Sequence, residues 1–541
     1  MENLQFSEGK NLKNVKIDGN SLKIEDVIEV SRSTTLSTQC CTNVRNSFGE
    51  FRSNGANVEI PDAAKKRVSE CRKVIDDIIR KGTVVYGVNT GVGGLSNVLI
   101  TKDQIEELQK NLIMSHATGV GEPLPEEVVR AAMLLSANAL AKGFSGVRLS
   151  VIETLLAMLN KRVHPVIPEK GSVGASGDLA PLSHMALVMT GKGEAFYNGK
   201  RMSGKDAMKK AGIETLTLKS KEGLAIINGT EIMTAIAALN IYDAERIVKT
   251  AQIAGAMCLE ALKGTTKPFD ERIHALRAHE GQKICAANIR ALTKGSEIIA
   301  SHKDCPKVQD AYTLRCMAQV YGAVIDTISY TRRIVETEIN STTDNPIVFP
   351  ETREVISGGN FHGEPVAFAM DFLGIALAEL GNISERTIYR LIDHNLSEMP
   401  SFLIERSGLH SGFMITQYTA AALVSENKVL SHPASVDSIP TSAGQEDHVS
   451  MGTIAARKAR QILGNVEYIV AIELLCAAQG IDFQKPLKAG AGVQNAYALI
   501  RKNIPKLEKD RVMYVDVEKM NKIVKSGNVL EAAESAIGKL R

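Results

Sequence analysis

Apolar residues recur at helical spacing through the second half of the chain. From 232 to 263, Ile232, Ile236, Leu239, Ile241, Ala244, Ile247, Ala251, Ala254 and Met257 recur at helical spacing, and Gly264 marks the stop. The same pattern predicts helices from Ala318 to Ile339, from Glu364 to about Asp393, and from His448 to about Gly480. Helices of this length exceed the globular average and predict a large bundle. Their small and apolar faces exceed what one chain needs for a single core, so an oligomer is expected. The most apolar stretch, Val366 to Ile383, carries Asp371 and Glu379, which marks a buried helix and not a membrane span.

The first half reads differently. Residues 15–32 predict a short strand, a Gly-Asn turn and a helix with Ser21 or Asp26 near its start. Ser33 to Asn57 is polar and reads as an exposed loop or insertion. From Pro61 to Asn228, helical periods alternate with glycine-rich loops.

Composition narrows the function classes. The 541 residues exceed one ordinary core, and 44% hydrophobic with 23% charged residues is the balance of a folded protein. The net charge of +3 is spread along the chain, and no Trp is present, so neither a basic footprint nor a stacking platform for nucleic acid exists. The N-terminal MENLQFSEGKNLKNVK has no apolar core, so no secretory signal is expected. The eight cysteines form no CxxC pair, which predicts reduced thiols of a cytoplasmic protein, with adjacent Cys40 and Cys41 the exception. His279-Glu280 begins like HExxH, but position 283 is Lys, so no metal site is expected there.

The loop chemistry concentrates in GSVGASGDLAPLSH, Gly171 to His184. Small residues at Ala175-Ser176-Gly177 let the Gly177 nitrogen approach the Ala175 carbonyl. Attack there, with loss of water and dehydration of Ser176, would leave an exocyclic methylidene, an electrophile built from the chain. A blander reading makes Asp178 the cap of a helix beginning Leu-Ala-Pro181. A phosphate loop is excluded, because no lysine follows the glycines.

This run resembles the prosthetic-group signature of the histidine and aromatic amino-acid ammonia-lyases, which form methylidene-imidazolone (MIO) from Ala-Ser-Gly. The resemblance spans about Val84 to Phe483 and includes YGVNTGVGG, NLIMSHATGVG, KEGLAIINGT, VQDAYTLRC, NSTTDNP, GGNFHGEPVA and SVDSIPTSAGQEDHVSMG. It implies a mainly α, fumarase/aspartase-like fold. A smaller mixed MIO-bearing domain (61–230) would follow an N-terminal arm (1–60) and precede a long central helix bundle (231–482) and a C-terminal helical segment (483–541). It also implies a homotetramer with pooled active sites and no dissociable cofactor.

Eliminating ammonia requires activation of a poor leaving group and removal of a weakly acidic β-proton. The resemblance makes Ala175, Ser176 and Gly177 the source of the electrophile, and Tyr86 the mobile catalytic tyrosine. Arg315 would bind the substrate carboxylate through a bidentate fork. Tyr312 and Gln309 lie three and six residues earlier, so on one helix all three would share a face. Asn228 and Asn345, with Asp344, resemble the polar groups around the MIO and amine, and Phe361 the aromatic wall.

Three positions bear on the substrate. His116 follows Ser115 as in histidine lyases and in some tyrosine-acting relatives. Glu446 stands where lyases of phenylalanine and tyrosine generally carry an amide. A carboxylate suits an imidazole, whereas against a benzene ring it would be a desolvated charge costing on the order of several kcal/mol. Met414, in GFMI, matches the histidine type. The expected reaction is conversion of L-histidine to trans-urocanate and ammonia, with Glu446 either orienting the imidazole or acting as base. Tyrosine or phenylalanine ammonia-lyase, a 2,3-aminomutase and a catalytically silent helical scaffold are the alternatives.

Overall fold

A computed structural model describes residues 14–33, 56–304 and 307–541. Residues 34–55 of the polar insertion, and with them Cys40 and Cys41, lie outside the described residues, as does Cys305.

The predicted bundle is present. Its four long helices are Glu231–Ala261, Met317–Glu338, Glu364–Ile392 and Gly452–Asp482, and they pack on one another. Glu231–Ala261 and Gly452–Asp482 are buried almost all round, so their apolar rows are wider than one stripe. Glu364–Ile392 buries Val366, Met370, Leu373, Leu377 and Leu380 but leaves Phe368, Phe372, Ile375 and Tyr389 on the surface. The chain is thus mainly helical, with a long central bundle.

Sheet is confined to short pieces around the glycine loops. Asn14–Lys16 pairs in parallel with Asn57–Glu59, and His164–Pro165, Glu194–Tyr197 and Lys200–Ser203 form an antiparallel trio. Val120–Pro123 pairs with Pro168–Lys170, which brings the His116 loop beside the Gly171 loop. The N-terminal helix Ile24–Arg32 is tied to the bundle by Arg32, whose guanidinium meets Asp243 at 2.7 and 2.9 Å and Glu127 at 2.7 Å. At its start Asp26 accepts from the Lys23 amide, as the third helical residue of a capping box does.

One expected boundary moves, and one expected cap serves another helix. The last long helix begins at Gly452, not His448, because Met451 lies in the left-handed region (φ 56) and Val449 and Ser450 run outside the helix. That segment instead backs the Gly171 loop: Val449 and Met451 pack on Ala175. Asp178 does precede the helix Leu179–Met189 but does not cap it. Its Oδ2 accepts from the Met233 amide at 2.9 Å, in the first turn of Glu231–Ala261, so it caps the long helix across space.

Candidate active site

The Ala175-Ser176-Gly177 bend is held from three sides. Ser172 Oγ donates to Asp178 Oδ1 at 2.8 Å and accepts from the Gly174 amide at 3.1 Å. Ser450 Oγ donates to the Gly174 carbonyl, and Thr453 Oγ1 to Asp178 Oδ1. Asp178 is fully buried, and burial pushes its carboxyl up while these donors pull it back. On the third side, the Asp178 amide donates to the Gly229 carbonyl at 2.7 Å, and Gly177 bridges in parallel to Gly229.

Two glycines here have no substitute. Gly177 has φ 74, and a Cβ on it would stand 1.9 Å from the Gly229 oxygen. Gly174 has φ 67, and its Cβ would stand 2.2 Å from Ser450 Oγ. The bend is thus pressed against backbone in a conformation only glycine adopts freely, which fits the close approach that cyclisation to MIO needs.

Above Ser176 sits Glu446. Ser176 Oγ donates to Glu446 Oε1 at 3.3 Å, and Thr441 Oγ1 donates to Oε2 at 2.9 Å. The carboxylate rides on a short loop in which Thr441 and Glu446 exchange backbone hydrogen bonds. Single-turn segments Gly93–Leu95 and Ser442–Gly444 lie together, with the Gly94 amide donating to Ser442 Oγ at 3.3 Å. Tyr86 enters the same cluster, its hydroxyl oxygen accepting from the Gly93 amide at 3.2 Å.

His116 ends the helix Ile105–His116, with Ser115 Oγ 3.1 Å from its Nδ1. Burial lowers the imidazole below the ordinary histidine range, opposed by the Leu112 carbonyl and by the charge of Glu446. His116 and Glu446, 330 residues apart, therefore feel one another across the same site. The loop after His116 is pinned to the Leu179–Met189 helix by the Gly119 amide, which donates to His184 Nε2 at 3.1 Å.

Behind the bend, Asn228 Nδ2 donates to Asp344 Oδ1 at 3.3 Å and to the Asn345 carbonyl at 3.1 Å. Asn345 Oδ1 accepts from the Gly358 amide at 2.8 Å, which seats the Gly358–Gly363 loop carrying half-buried Phe361. Asp344 also accepts from Lys221. Nothing in the sequence marked this buried lysine, nor Thr441, Ser450 and Thr453; lysine reads as a surface residue unless its burial is seen.

The expected Gln309–Tyr312–Arg315 helical face forms only in part. The helix starts at Tyr312, because Ala311 has extended backbone, and Gln309 lies exposed in the preceding bend. Arg315 does stack its guanidinium 4.4 Å over the Tyr312 ring, as residues three apart can. Within one chain, and among the described residues, the hydrogen bonds around Ser176 do not reach Gln309, Tyr312, Arg315, Phe361 or Met414. Tyr312 is 71% exposed and Arg315 Nε is buried without a partner. Met414 opens the helix Met414–Leu430. Separately, His362, Glu364 and His448 come together, with the two imidazoles stacked at 5.7 Å.

Comparison with known proteins finds relatives along nearly the whole chain. The family model described as aromatic amino acid lyase matches residues 45–502. Histidine ammonia-lyase of Caldanaerobacter subterraneus subsp. tengcongensis is 56% identical over 520 residues, covering 96% of this chain and 98% of that protein. The crystal structure of histidine ammonia-lyase from Trypanosoma cruzi superposes with a TM-score of 0.87 at 43% identity, covering 97% of this chain and 96% of that one. Tyrosine aminomutase from Streptomyces globisporus superposes with a TM-score of 0.89 at 38% identity, covering 98% and 100%. On these matches, the chain belongs to the aromatic amino acid lyase family.

Proposed function

We propose that the chain is a histidine ammonia-lyase, a carbon–nitrogen lyase that removes ammonia from L-histidine to give trans-urocanate. The observation that carries this reading is the Glu446 carboxylate, 3.3 Å from Ser176 Oγ, whose charge raises the His116 imidazole against the lowering by burial. An acidic group at that place suits an imidazole and penalises a benzene ring. The high identity to histidine ammonia-lyases over nearly the whole chain supports the same substrate.

Ala175, Ser176 and Gly177 are the residues that would form the MIO, and the glycine-only backbone at 174 and 177 supports that assignment. Once formed, that group supplies an electrophile for the substrate. The remaining roles fall to side chains. Glu446 holds the imidazole through its charge, and His116 faces it. Tyr86 brings its hydroxyl to the same cluster, so Tyr86 and Glu446 are the two candidates for taking the β-proton. Asn228 and Asn345 line the amine side, Phe361 the wall and Met414 the pocket end.

Arg315, with Tyr312 and Gln309, would receive the substrate carboxylate. The exposure of Tyr312 and Gln309, the unpaired Arg315 Nε and the apolar surface row Phe368, Phe372, Ile375 and Tyr389 support a homotetramer in which a neighbouring chain completes each site, and a cytoplasmic place accords with the reduced-thiol reading of the sequence. Ser176→Ala tests the electrophile. The variant is expected to fold and assemble yet to lose the near-ultraviolet difference absorbance and nearly all turnover; substantial residual activity would refute the mechanism.

A further inference from the structure

Lys221 is the most deeply buried cation near the site, fully removed from solvent. Its backbone lies in the left-handed region (φ 73), an unusual place for a long side chain. Its ammonium donates to Asp344 Oδ2 at 2.6 Å. The other oxygen, Asp344 Oδ1, accepts from the Asn345 amide at 2.6 Å and from Asn228 Nδ2 at 3.3 Å. Asn228 Nδ2 spends its second hydrogen on the Asn345 carbonyl at 3.1 Å.

Both hydrogens of the Asn228 carboxamide are thereby used, and its Oδ1 stays buried without a partner. A flipped amide would set its oxygen against the Asp344 carboxylate and the Asn345 carbonyl, so the ionised carboxylate dictates that the oxygen is the end left unpaired. One residue on, the Gly229 carbonyl receives the Asp178 amide beside Gly177. The Lys221–Asp344 pair therefore sets the aim of an unpaired acceptor directly behind the Ala175-Ser176-Gly177 bend.

We infer that Lys221 is a positioning residue for the ammonia-lyase reaction: through Asp344 it holds the Asn228 carboxamide with Oδ1 offered as a lone acceptor to the substrate's amine N–H. The inference rests on the proposed function. Lys221 itself touches no substrate. It keeps Asp344 a strong acceptor in a dry site, where an unpaired carboxylate would reorganise.

The test compares full-length wild type, Lys221→Met, Asn228→Ala and the double variant, reading kcat and KM on L-histidine and the near-ultraviolet difference absorbance. Lys221→Met is expected to keep the absorbance while kcat falls about 100-fold, the scale of a misplaced reacting group, with KM moving less than about threefold. The double variant should be no slower than Asn228→Ala alone, because Lys221 acts through that residue. Wild-type kcat in Lys221→Met, or fully additive losses in the double variant, would overturn the inference. Should Lys221→Met not fold, Asp344→Asn gives the same reading without a change of shape. Failure of both to fold would overturn the inference too, assigning the pair to folding. A wild-type chain without histidine turnover would instead strike the functional reading and this inference with it.

Discussion

Replacing Glu446 with glutamine removes a charge, and with it the capacity to take a proton, while leaving the shape almost unchanged. The amide is isosteric and keeps one oxygen, so the Thr441 contact at 2.9 Å survives. The backbone pairing of Thr441 with residue 446 does not involve the side chain and stays. What goes is the negative charge beside His116 and the imidazole of the substrate. Loss of one preorganised electrostatic contact costs about 2–4 kcal/mol in transition-state stabilisation. At about 1.36 kcal/mol per decade, that is a fall of roughly 30- to 1,000-fold in kcat/KM. The assay is urocanate formation from L-histidine, with difference absorbance confirming that the prosthetic group has formed. His116 should respond as well: without the charge that favours its protonated form, its titration moves further down, readable by NMR. An unchanged kcat/KM on histidine would refute the substrate argument, since that argument rests on the charge of Glu446.

Three further outcomes are expected. Ser176→Ala should abolish turnover while leaving the unfolding midpoint near wild type, because the hydroxyl's one hydrogen bond, to Glu446, is given up in the wild type as well once Ser176 is dehydrated. Gly177→Ala should lose the difference absorbance and also destabilise the fold: the left-handed backbone alone costs about 1–2 kcal/mol, and the Cβ must move away from a Gly229 oxygen 1.9 Å distant, as chemical denaturation will report. His164 accepts from Arg130 Nη1 at 3.1 Å, and burial, with Arg130 and Arg162, lowers its imidazole from 6.5 to about 2. The unfolded chain therefore binds a proton that the folded chain refuses below about pH 6.5, so stability falls as pH drops through that window. The loss reaches about 2 kcal/mol at pH 5, and His164→Gln should flatten it in urea melts.

The long helices were legible in the chain because a 3.6-residue period survives even when a helix is buried all round. Their ends were less so. The shift from His448 to Gly452 turns on one left-handed methionine, and a Met at 451 carries no signal for that backbone. Gln309 was assigned to a helical face on spacing alone, and extended Ala311 cuts that face short. Asp178 shows the same limit in another form, since capping a helix 53 residues later is a tertiary fact. The site's chemistry was more legible than its support. Ser176, Glu446, His116 and Asn228 carry groups whose reactivity is readable from residue type. Lys221, Thr441 and Ser450 act by where they are buried, which residue type does not encode. Among the described residues of one chain, no hydrogen bond links Arg315 or Tyr312 to Ser176.

The most direct test of the account is near-ultraviolet absorbance of the purified protein given L-histidine, with L-tyrosine and L-phenylalanine in parallel. The account predicts urocanate from histidine and no coumarate or cinnamate from the other two. Coumarate or cinnamate in place of urocanate would contradict the role given to Glu446, and no product from any of the three would contradict the lyase reading itself, pointing to an aminomutase or a silent scaffold.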